Sequence, residues 1–70
     1  MEQLIKGKIQ WLDLNMGFWG LTTSEGEQWE LIDLPKAHQK DDLEIVLLVR
    51  ELDTFSINMW GRIGRVIEVR

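Results

Sequence analysis

Four tryptophans in 70 residues, two of them in the runs Gly17-Phe18-Trp19-Gly20 and Met59-Trp60-Gly61, set the terms on which this chain can fold. A bulky ring beside a residue with no side chain suits a small, strongly curved sheet, because the glycine lets the backbone bend while the indole fills the space created. Each buried indole also removes on the order of 150–250 Å² from water, bulk that a short chain otherwise lacks.

The spacing of the remaining apolar residues agrees. Residues 4–14 alternate, with Ile5, Gly7, Ile9 and Trp11 on one face and Lys6, Lys8 and Gln10 on the other, which predicts a half-buried strand with Trp11 turned to the core. Asn15-Met16-Gly17 carries turn chemistry, and Phe18-Trp19-Gly20-Leu21-Thr22 is a second short strand, completing a hairpin. Thr23-Ser24-Glu25-Gly26 is a second polar turn, after which residues 28–34 resume an extended pattern with Trp29 and Leu31 opposite Glu30 and Ile32. Three antiparallel strands in a meander follow. Pro35 to Lys40 interrupts the pattern and has room for one helical turn. Leu43 to Leu52 is the most apolar stretch, and Ile45-Val46-Leu47-Leu48-Val49 puts large aliphatic groups on both faces of a strand. Phe55-Ser56-Ile57-Asn58-Met59 alternates and predicts another strand. Residues 63–69 predict the last, with Ile63, Ile67 and Val69 on one face and a bend or bulge at Gly61 and Gly64.

Five or six short strands with one helical turn predict a single all-β domain over residues 1–70, closed or nearly closed into a barrel, since closure removes the edges that endanger a small sheet. OB-like and SH3-like barrels both fit. The OB-like form is favoured because its connector between the third and fourth strands commonly holds a helix, which is where Pro35 to Lys40 falls.

A domain of this length buries only roughly 60% of the surface its unfolded chain exposes. With no cysteine there is no disulfide to staple it, and with His38 as the sole histidine a structural zinc site is nearly excluded. Dense packing and self-association are the remaining aids. The apolar fraction of 44% and charged fraction of 29% are those of a folded globular chain. Met1 to Lys6 lack the features of a secretory signal, and no run approaches the roughly 20 apolar residues of a membrane span, so a cytoplasmic location without membrane contact is expected. Twelve acidic against eight basic residues give a net charge of −4, which disfavours nucleic acid as a partner.

The pattern Asp13-Leu14-Asn15-Met16-Gly17-Phe18-Trp19-Gly20, then Asp33-Leu34-Pro35, then Ser56-Ile57-Asn58-Met59-Trp60-Gly61 spans most of the chain. It resembles that of short prokaryotic proteins with a Gly-Phe-Trp-Gly run, a Leu-Pro before a helical turn and a terminal Met-Trp-Gly. The resemblance implies a small OB-like β-barrel. Those proteins have no assigned activity, so it implies no catalytic residue.

The residues themselves point to no catalytic constellation. His38, near Asp41 and Asp42, is expected to be a solvated connector residue rather than a metal ligand or proton shuttle. Asp13, Asp33, Asp41, Asp42 and Asp53 fall at expected turns or strand ends and are expected to form turns. No nucleophile elbow or phosphate loop is present. The expectation is therefore a non-enzymatic binding or interaction module without a cofactor, self-associating through the doubly apolar strand at Val46 and Leu48. The alternative is a single-stranded nucleic-acid binder in which Trp19 and Trp60 stack bases and Arg62 and Arg65 meet phosphates.

Overall fold

The computed structural model describes Met1–Arg70 as five strands and one helical turn: β1 (Glu2–Leu12), β2 (Phe18–Thr23), β3 (Gln28–Ile32), a 3₁₀ turn (Lys36–His38), β4 (Glu44–Glu51) and β5 (Arg62–Val69). The strands close into a barrel in the order β1-β2-β3-β5-β4. Neighbours run antiparallel except β3 and β5, which are parallel. With the helical turn between β3 and β4, this is the OB-like barrel that the residue pattern predicts.

Closure depends on the length of β1. Residues 2–8 pair with β4, from Glu2↔Arg50 to Lys8↔Glu44, and residues 7–12 pair with β2, from Gly7↔Thr23 to Leu12↔Phe18. One strand thus serves two halves of the wall. Both hairpin turns are as the sequence predicts: Asn15 and Gly17 take φ of 55° and 86°, and the Gly26 N–H donates to the Thr23 carbonyl at 3.0 Å with φ 84°.

Inward-facing residues of all five strands meet around Trp29, which is fully buried together with Ile9, Leu21, Leu47 and Val49; Ile5, Leu31, Leu34 and Ile45 complete the cluster. On β4 the alternation is clean. Ile45, Leu47 and Val49 are buried inside, while Val46 and Leu48 are half-buried outside.

Three expectations are corrected. Residues 55–59 form no strand but belong to a long loop, 52–61, between β4 and β5, so the barrel has five strands. Gly61 does form a bend at the entry to β5, but the irregularity within β5 lies at Ile67 rather than at Gly64: Val49 pairs with Val66 and Leu48 with Glu68, so Ile67 is an extra residue. That bulge breaks the expected common face: Val69 packs against the core, whereas Ile63 is buried outside it and Ile67 is exposed. Trp11 is 44% exposed. It faces the same side as Ile9, but at the end of β1 the barrel offers no further layer to cover it, and its ring lies on Gly17 with one side open.

The 52–61 loop crosses the outer surface of β2 and β3. Phe18 and Ile63 are buried outside the main core, and the Trp60 ring packs edge-to-face on Phe18, centroids 5.6 Å apart, and over Gly20. A second, small apolar cluster therefore sits on the outside of the barrel. No helix is long and apolar enough to cross a membrane.

Candidate functional site

The loop between β1 and β2 (residues 13–17) and the loop between β4 and β5 are fastened together where the Asn15 side-chain amide donates to Asn58 Oδ1 at 2.7 Å. The longer loop is held down twice more. The Ser56 hydroxyl donates to Glu30 Oε1 at 2.6 Å, and the Asn58 N–H donates back to Ser56 Oγ at 3.1 Å. The polar residues of this segment therefore point at the protein, and a turn over residues 56–59, closed by the Met59 N–H on the Ser56 carbonyl at 3.2 Å, leaves Phe55, Ile57 and Met59 facing solvent. Their exposures are 101%, 81% and 90%. Met16, beside Asn15, is 94% exposed, and Leu14 and Trp11 are each nearly half exposed.

One end of the barrel thus presents five large apolar groups from two loops, with the half-exposed Trp11 of β1 beside them. The charged residues within those loops are Asp13 and Asp53 alone; neither loop contains a lysine or arginine. Met59 also sits at φ 48°, a left-handed conformation that costs a bulky residue about 1–2 kcal/mol. Thioether and aromatic groups together make an adaptable apolar contact surface.

The residues expected to bind nucleic acid lie in different settings. Trp19 is half-buried, packed on the core and edge-to-face with Trp11 at 5.3 Å. Trp60 is held by Phe18 and Gly20 as described. Arg62 is bidentate to Glu51, at 2.9 and 2.6 Å, and also donates to Glu27 Oε2 at 2.8 Å, with its guanidinium 4.3 Å from the Trp29 ring centroid. The hydrogen bond from Arg62 holds the Glu51 carboxyl below its ordinary value, against the opposing effect of desolvation, and Glu51 in turn raises Arg62. Arg65 lies 3.5 Å from Asp33. Both cations already have carboxylate partners. Val46 and Leu48 lie on the outer face of β4, with exposed Leu4 paired beside Leu48 on β1.

His38 is half-buried in the helical turn, near Leu43, Val46 and Val69 at a shallow depression of about 400 Å³. Asp33 and Asp42 occupy left-handed turn positions, φ 63° and 64°, and Asp41 accepts the Trp11 N–H at 2.7 Å.

The exposed row Phe55, Ile57, Met59 is hidden in the sequence because its apolar-polar alternation predicts a strand. The sequence alternates, but the backbone there is a turn and not a strand. The available signal was Asp53-Thr54 before the segment and Trp60-Gly61 after it, turn-forming flanks close enough together to describe a loop. Comparison with family models, with curated proteins and with solved structures gave no significant match.

Proposed function

We propose that this chain is a non-enzymatic interaction module that engages another protein through the two-loop apolar end. The observation that carries the reading is the exposure of Met16, Phe55, Ile57 and Met59, four large apolar side chains on two loops joined by the Asn15–Asn58 bond. Exposed apolar groups gathered in this way mark a docking surface. The flanking charges, Asp13 and Asp53, are acidic, which favours a partner with an apolar centre and a basic rim over nucleic acid or an anionic lipid surface. A photo-cross-linking amino acid at Phe55 or Met16 is expected to capture one partner protein in host cells, and the same group at Lys36, outside both loops, is not. Equal capture at all three positions, or none at Phe55 and Met16, overturns the reading.

A second reading concerns self-association, favoured by the half-buried Val46 and Leu48 and the exposed Leu4 and Ile67 on the outer surface of β1, β4 and β5. It is compatible with the first, because these residues lie on strands and the docking groups on loops.

A further inference from the structure

The register of β1 leaves one of its edges open. Ile9 exchanges both backbone hydrogen bonds with the β4 side, its N–H donating to Leu43 at 2.9 Å and its carbonyl accepting from Asp42 at 2.7 Å. The β1·β4 pairing continues from there without a slip, so alternation directs the N–H and C=O groups of the odd residues to β4 and those of Glu2, Leu4 and Lys6 to the opposite edge. On that edge pairing with β2 begins only at Gly7↔Thr23. Glu2, Leu4 and Lys6 therefore have no strand beside them. What lies there instead is a groove of about 700 Å³ between β1 and the β2–β3 turn, floored by Gln3 to Lys8 and walled by Thr23, Ser24 and Glu25.

We propose that this edge is the seam of a symmetric dimer, in which β1 of a second copy pairs antiparallel about a two-fold axis at Leu4. The proposal rests on the self-association reading above and specifies its geometry. The register Leu4↔Leu4 places Glu2 of each copy opposite Lys6 of the other, on the outward face where all three side chains are exposed. Lys6 makes no ion pair within the monomer, while Glu2 is held in place by Arg50 at 2.7 Å, so the second cation completes an Arg-carboxylate-Lys chain across the seam. Charges on an edge strand ordinarily repel a second strand. Here their order along β1 turns that repulsion into complementarity. About six main-chain hydrogen bonds form, and the neighbouring pair Leu4↔Leu48 on each copy extends the contact into a four-leucine stripe over the outer surface. Leu48, expected from the sequence to lie in an oligomer contact, then belongs to the margin of the seam rather than its centre.

The test combines sedimentation with cross-linking on the full chain. Because the protein has no cysteine, Leu4→Cys introduces a single thiol. At the proposed axis the two Cα atoms lie about 5.5 Å apart, within disulfide range. Mild oxidation is expected to give a covalent dimer with Leu4→Cys and not with Gln10→Cys, which points outward where β1 is paired with β2. Lys6→Glu is expected to raise the dimer dissociation constant about tenfold, since the two-fold axis doubles the like-charge contact. Leu4→Pro removes only a donor on the open edge and is expected to give a folded monomer. A wild type that sediments as a monomer at high micromolar concentration overturns both self-association and the seam. A wild-type dimer that survives Lys6→Glu, with Leu4→Cys no faster to cross-link than Gln10→Cys, overturns the seam alone.

Discussion

At Gly20 the absence of a side chain is what allows Trp60 to lie against β2: a Cβ there would come within 2.7 Å of the ring and of Leu12. Gly17 is likewise the floor under Trp11. The two glycines of the Gly-Phe-Trp-Gly run therefore accommodate tryptophans from elsewhere in the chain, rather than making space for their own neighbour. Gly20→Ala is expected to lose about 1–3 kcal/mol by overpacking and to increase acrylamide quenching of tryptophan fluorescence as Trp60 is pushed outward. Met59→Gly is expected to gain up to about 1 kcal/mol, because the relief of a left-handed bulky residue outweighs the added entropy of the unfolded chain, while weakening partner capture. A loss of stability on that change would show that the Met59 side chain packs. Of the four indoles, the sequence identified their role as bulk but not their ranking. Trp29→Ala is expected to lose about 3–5 kcal/mol, and Trp11→Ala less than half of that, both measured by urea unfolding. Trp11 shares the inward parity of Ile9, and parity does not encode how far along the barrel axis a residue sits.

Among the elements, the beginning of β5 is tied to the end of β4 and to the residue before β3 by Arg62, which joins Glu51 and Glu27 while covering Trp29; the Trp29 indole N–H also donates to Glu27, at 2.7 Å. Since the Glu51 carboxyl titrates below its ordinary 4.5 in the folded chain, its contribution is fully present above that value and is lost as pH falls through the folded value. Glu51→Gln is expected to lose no more than about 1 kcal/mol at neutral pH, the pair being well exposed and screened, and the gap from wild type should narrow in melts as pH falls below 4.5 through the folded value. A pH-independent gap would assign the effect to packing. The strands β1 and β3 are legible from period-two alternation, and β2 and β4 from short runs of β-forming and aliphatic residues, each bounded by turn residues. The 52–61 loop was not, because a loop whose polar groups face inward has the same period as a half-buried strand. The bulge at Ile67 was not legible either, since it answers to the register with β4 and not to any local residue preference.

For the whole molecule, closure and charge together decide which partners are plausible. The outer surface of β2 and β3, where OB-like barrels stack single strands, carries the protein's own loop and Trp60. With Arg62 and Arg65 paired and a net charge of −4, titration with a single-stranded oligonucleotide at low salt is expected to leave tryptophan fluorescence unchanged. Quenching that weakens with added salt would contradict this. By itself the sequence determined the all-β class, the meander, the helical turn after Pro35 and the burial of β4 on its inner face, because alternation, turn chemistry and proline act within a few residues of themselves. Only the tertiary structure decided that β1 spans two partners and leaves its first residues with an open edge, that two distant loops meet at Asn15 and Asn58, and that apolar groups face outward there. Those outcomes depend on contacts between segments as many as 48 residues apart, whose register no local pattern records.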